Sequence, residues 1–146
     1  MRKVTLVVLS VLALTLPSAD AWAAAHQTVA KTVVKKKVSV ATKSFTGDAA
    51  NADRWGLLQV TIVVRKTTTT IGTKKTVARK ITAVKVPLFP NHTDRSIYIN
   101  QQALPYLIQE TLKAQSSRIY VVSGATNSSD AFAQSLQSAI VNAKAW

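Results

Sequence analysis

The chain has 146 residues, no cysteine, and a formal net charge of +13 from 19 lysines and arginines against 6 acidic residues. That length bounds the protein at one domain once the ends are set aside. Without cysteine there is no disulfide framework, catalytic thiolate or thiolate metal site. So basic a chain favours anionic partners without naming one.

The first element is a targeting segment. Arg2 and Lys3 precede the apolar run Val4 to Leu16, Pro17 and Ser18 break it, and Ala21-Trp22-Ala23 or Ala23-Ala24-Ala25 offers a small-residue cleavage site. This is the layout of a secretory signal peptide over 1–23, and the run is short for a membrane-spanning helix. The expected location is therefore secreted or extracytoplasmic, in the cell envelope. There the anionic partners are lipid headgroups, acidic wall polymers or a phosphorylated cofactor, and nucleic acid is not expected. Residues 24–37, ending in Lys35-Lys36-Lys37, read as a basic flexible tether, and 38–146 as the folded domain.

Val38 to Phe45 is the first expected strand, and Gly47 with the stretch through Gly56 forms a loop or bulged turn. Gly56 to Lys66 is β-branched and apolar on both faces, as a central strand is, and Lys80 to Phe89 is a second such run. The threonine-rich segment between them reads as an extended hairpin with Lys74 and Lys75 at its tip, or as a disordered basic loop. From Ala103 the period changes. Leu104, Leu107, Ile108, Thr111 and Leu112 fall at helical spacing, which predicts a helix from about Ala103 to Gln115 with Pro105 in its first turn and Asn100 in the turn before it. Arg118 to Val122 reads as a short final strand. Phe132, Leu136, Ala139, Ile140 and Ala143 then stripe a C-terminal helix capped by Ser128 or Ser129, with Asp130 in its first turn. The order is β-β-β-α-β-α, an α+β domain with two helices packed on a mostly antiparallel sheet.

Chemistry concentrates where that last strand meets the helix. In Ser123-Gly124-Ala125-Thr126-Asn127-Ser128-Ser129, a glycine lets backbone approach closely and four hydroxyls surround a helix start. Helix-start amides and roughly half a positive dipole charge favour a phosphate there. Plain turn and cap chemistry accounts for the same residues equally well. Elsewhere the candidates are thin: His92 and Asp94 share a turn with no nucleophile motif beside them, no metal-ligand cluster exists, and Trp55 is either core or a stacking platform.

The run Val122-Ser123-Gly124-Ala125-Thr126, followed by serines, resembles the flavin-attachment motif of the FMN-binding domain family. That family includes the flavin-carrying peripheral subunits of bacterial sodium-translocating NADH:quinone reductase and of the related ferredoxin-oxidising complex. The resemblance extends upstream through Ile99-Asn100, Ala103, Pro105, Leu107, Glu110, Leu112 and Ala114-Gln115-Ser116, and is similar in layout only over Phe45, Thr46, Gly47 and the strand from Gly56. It implies FMN as cofactor, joined through its phosphate to Thr126 by a flavin transferase. Ser123, Gly124 and Ala125 would shape the turn, with Ser128, Ser129, Gln115 and Ser116 in the binding motif. The sequence departs from the motif at Tyr120, where the family usually carries an Asp, and at Asn127 and Ser128. Covalent and non-covalent FMN both stay open at this point.

For an exported protein a covalent link has a physical use, since even a nanomolar cofactor, held by about 12 kcal/mol, is lost into a medium without free FMN. The resemblance implies an electron carrier more than a self-contained enzyme, receiving electrons from a membrane reductase or other redox partner. The alternative is a basic secreted domain that kept the fold, lost the flavin and binds an anionic envelope surface.

Overall fold

The computed structural model describes residues 35–146. The signal-peptide segment and residues 24–34 of the tether lie outside the described residues. Among the described residues four strands come first: β1 (Lys36–Thr46), β2 (Ala50–Asn51), β3 (Leu57–Ile71) and β4 (Lys74–Leu88), with a 3-10 turn at Asp53–Trp55. Two helices follow, α1 (Asp94–Ala114) and α2 (Thr126–Lys144). The fold is α+β, with a mostly antiparallel four-stranded sheet and two helices, as the periodicities predict.

β3 is the central strand. It pairs antiparallel with β1 from Thr46↔Thr61 to Lys36↔Ile71, with β4 from Gln59↔Leu88 to Ile71↔Lys74, and with β2 at Leu57 and Leu58. The threonine-rich segment is thus strand rather than loop, and the hairpin turns at Gly72 and Thr73 between Ile71 and Lys74. Threonine suits this because its branched side chain packs on a half-exposed pleated surface.

Along β3, Leu58, Val60, Ile62 and Val64 are buried while the residues between them are not, so one sheet face carries the core. α2 covers that face with Ala131, Phe132, Leu136 and Ala139, all fully buried. Enclosing Phe132 or Leu136 is worth about 1.5–3 kcal/mol each. α1 contributes Leu104 and Leu107 to the same core. Gly47, just after β1, is the point of closest approach. Its N–H donates to Val60 O at 2.8 Å, and the Ser135 hydroxyl accepts from Val60 N–H at 2.9 Å, tying α2 to β3.

Three expectations are corrected. α1 begins nine residues before Ala103, because Thr93 and Ser96 form a reciprocal capping box: the Thr93 hydroxyl accepts from Ser96 N–H at 3.1 Å and the Ser96 hydroxyl from Thr93 N–H at 3.2 Å. Asn100 therefore sits within the helix, and Pro105 lies in its interior on the exposed side. There the carbonyl whose partner the proline removes belongs to exposed Gln101, on the side open to water. Second, Arg118 to Val122 is not a strand. Hydroxyls take two of its amides, Ser116 Oγ from Arg118 N–H at 3.1 Å and Ser129 Oγ from Val122 N–H at 3.1 Å, so these are not free for a ladder. The observed order is thus β-β-β-β-α-α. Third, α2 starts at Thr126, ahead of the serines expected to cap it, with Ala125 at the N-cap and no side-chain cap.

Candidate functional site

The turn before α2 is built by local rules. Ala125 N–H donates to Val122 O at 2.9 Å, closing a four-residue turn over Ser123 and Gly124. Gly124 has φ of +81°, the left-handed position such a turn reserves for glycine. Ser129, 2% exposed, locks this geometry from one helical turn on: its hydroxyl donates to Ala125 O at 2.9 Å while accepting from Val122 N–H.

The helix therefore opens bare. Its first intrahelical bond is Ser129 N–H to Ala125 O at 2.9 Å, and among the described residues the amides of Thr126, Asn127 and Ser128 meet no protein acceptor. Three N–H groups at one helix start carry the positive end of the dipole. The Thr126 side chain is exposed at the first helical position.

These groups border a cavity of about 240 Å³ lined by Gly124 to Ser128, by Arg95, Ser96, Ile99 and Asn100 from the first two turns of α1, and by Trp55. Arg95 supplies a full positive charge. Trp55 is half-buried, packed on the core below, with the Arg54 guanidinium 5.0 Å from its ring centre and the His92 ring 6.5 Å away. It is thus core and cavity wall at once. Asn127 Nδ2 donates to Asp53 Oδ2 at 3.5 Å, a long bond between the 3-10 turn and the α2 start. Asn100, 1% exposed, donates through Nδ2 to Pro90 O at 3.0 Å, but its Oδ1 is enclosed without a hydrogen-bond partner. Such an unmet buried acceptor costs about 1–3 kcal/mol, so it is uncommon in folded proteins without a ligand or water to serve it.

Of the residues singled out in the sequence, the structure gathers Gly124, Ala125, Thr126 and Ser128 at the cavity. Ser123 borders a smaller depression of about 130 Å³, with Tyr98 and Val122. Ser129 shapes the turn from beneath. Gln115 and Ser116 are elsewhere, at the far end of α1, about 22 Å of helix beyond Asn100. The Gln115 side chain accepts from Ile81 N–H at 2.7 Å and donates to Ile81 O at 3.0 Å and Leu112 O at 2.7 Å, so it clamps α1 to β4. Arg95, Ser96, Ile99, Asn100 and Asn127 were not expected at the site. The Thr93-x-x-Ser96 cap signal was the available clue, since it starts α1 early enough to bring Arg95 beside the turn.

The donor set fits FMN. Bare amides and a guanidinium suit its phosphate, Trp55 offers an aromatic wall for its ring system, and the unserved Asn100 acceptor marks a place for a polar ligand group. None of the residues lining the cavity is Asp, Glu or His, and the Asp53 carboxylate beside it is engaged by Asn127 at 3.5 Å.

Comparison with curated proteins finds no match to the chain. A family model, FMN-binding domain, matches residues 54–141. That span contains every residue lining the cavity. The chain belongs to the FMN-binding domain family, which supports FMN as its cofactor.

Proposed function

We propose that the protein is an extracytoplasmic electron-transfer flavoprotein, with FMN held phosphate-first at the start of α2 and linked through that phosphate to Thr126 Oγ1. The observation that carries this reading is the coincidence of three unpaired amides and an exposed hydroxyl at one helix start facing a cavity. The Thr126, Asn127 and Ser128 amides would donate to phosphate oxygens, and Arg95 would offset the remaining charge. In the link the Thr126 O–H bond would be exchanged for an O–P bond, the transferase drawing FMN from a flavin phosphoanhydride whose P–O–P bond breaks and whose other phosphate half leaves with the proton. Ile99 and Trp55 keep water from the cavity wall.

FMN, when bound, supplies one- or two-electron chemistry. At about 240 Å³ the cavity is smaller than the roughly 300–1,000 Å³ of sites that enclose whole ligands. It would suit the phosphate and polyol chain, with Trp55 as the wall the ring system would meet, where a redox partner such as a membrane reductase could reach it. That arrangement favours a carrier over an enzyme enclosing a substrate.

Tyr120, at the position where the family's attachment motif usually has an Asp, is 83% exposed and borders a separate surface depression with Tyr106. The departure thus alters the surface met by a flavin transferase, while the cavity's own donors are intact.

The test is co-expression with a flavin transferase, read by intact mass and by flavin fluorescence after denaturing electrophoresis. Wild type should carry the FMN mass and Thr126→Ala should not, while keeping its fold. Flavin released on denaturation from both proteins leaves binding and removes the ester. No flavin in either overturns the electron-transfer reading.

A further inference from the structure

β1, β3 and β4 run on past the ends of the helices as a three-stranded ribbon, and it carries lysines and arginines but not one aspartate or glutamate. Residues directly opposite across an antiparallel pair share a face, so the register sorts its side chains. Leu58, Val60, Ile62 and Val64 point toward the helices; Thr61, Val63, Arg65, Thr67, Thr69 and Ile71 therefore point the other way. Paired with them on this second face are Lys85 beside Thr61, Lys80 beside Arg65, and Lys36 and Lys74 on either side of Ile71. Val40 opposite Thr67 and Val38 opposite Thr69 complete it. Among the described residues no helix covers this face.

Two properties coincide there. The cations have no acidic neighbour within the ribbon. Among them stand exposed aliphatic side chains, Val38 at 51%, Val40 at 58% and Ile71 at 48%. Lysines on edge strands do guard against edge-to-edge pairing, but acidic residues serve that purpose as well, and here there are none. A soluble polyanion would satisfy the lysines and leave the valines and isoleucine in water. Nucleic acid would add bases, for which this face offers no aromatic platform.

We propose that the open face of this ribbon docks on the surface of an anionic lipid bilayer. Lys36, Lys74, Lys80 and Arg65 meet headgroup phosphates, while Val38, Val40 and Ile71 enter the headgroup boundary, the pairing of forces that holds interfacial proteins. The helices and the cavity they form stay on the opposite side of the sheet from the lipid. This inference is independent of whether FMN is linked to Thr126.

The experiment is co-sedimentation of the processed chain, beginning near Ala24, with vesicles of phosphatidylglycerol and phosphatidylcholine, and with vesicles of phosphatidylcholine alone. A basic residue near an anionic surface contributes about fivefold in partitioning, the equivalent of about 1 kcal/mol. The double variant Lys36→Gln/Lys74→Gln should lose about 25-fold on the mixed vesicles and nothing on phosphatidylcholine. Val38→Thr/Val40→Thr, which keeps branched side chains in the strand, should weaken mixed-vesicle binding with the charges intact. Lys113→Gln, on α1, should bind as wild type, and circular dichroism checks that each variant is folded. Binding that ignores phosphatidylglycerol overturns the proposal, as does an equal loss in Lys113→Gln. Full retention by the valine variant, together with release from vesicles by inorganic polyphosphate, would identify a soluble polyanion as the partner instead and also overturns it.

Discussion

Gly47 lies against the main chain of Ser135, so close that a Cβ on residue 47 would sit 1.9 Å from the Ser135 carbonyl oxygen and 3.0 Å from Ala139 N. The obstacle is helix backbone, which cannot swing aside as a side chain can. Seating α2 on β3 thus depends on one missing methyl group.

Gly47→Ala should therefore destabilise the fold by about 2–3 kcal/mol or more, at the upper end of overpacking costs. Urea unfolding followed by circular dichroism reads it, with the midpoint falling and the slope unchanged. A variant as stable as wild type would mean α2 is not seated against the β1 end as described.

Gln115→Ala tests the reassignment of that residue from cofactor ligand to clamp. Removing its three hydrogen bonds leaves the partly enclosed Ile81 amide without its acceptor, a loss of about 1–3 kcal/mol. FMN affinity, measured by fluorescence titration of the folded variant, should stay at the wild-type value. A lost affinity at full stability would return Gln115 to the site.

Tyr120→Asp restores the acidic residue usual in the family's attachment motif at an exposed position. The fraction of chains carrying FMN after co-expression with a flavin transferase should rise, with non-covalent FMN affinity unchanged. Intact mass gives the first quantity and titration of the unlinked protein the second. An unchanged loaded fraction would show that the transferase does not read residue 120.

Export predicts a processed N-terminus. Sequencing of protein recovered from the cell envelope or medium should begin near Ala24 or His26. Recovery of chains that all retain Met1 would overturn cleavage and leave the segment as an uncleaved anchor.

The central sheet was legible because its signal is local. Gly56 to Lys66 and Lys80 to Phe89 are β-branched runs, and Phe132, Leu136 and Ala139 recur at helical spacing whatever surrounds them. Arg118 to Val122 has the same β-branched look, yet whether it joins a ladder depends on Ser116 and Ser129 claiming its amides, a contest that composition does not display. Pro105 drew the expected start of α1 toward itself, while the weaker Thr93–Ser96 cap set the real one. The site divided in the same way. The Ser123 to Ser129 stretch announces itself within one turn of chain. Arg95 and Asn100 reach it only because α1 starts at Asp94 and packs beside α2, a relationship between segments with no contiguous signature.

Ser129 holds the turn ahead of it from a position inside the helix, by bonds to Val122 and Ala125 that involve no ligand. The core behind it, Phe132 and Leu136 against Leu58, Val60 and Ile62, is closed in the same way. The turn's bonds thus come from the chain itself, and the amides of Thr126 to Ser128 are aimed by the fold when a phosphate arrives. Little conformational freedom is left to lose at that moment, so the binding free energy is not spent on ordering the receptor.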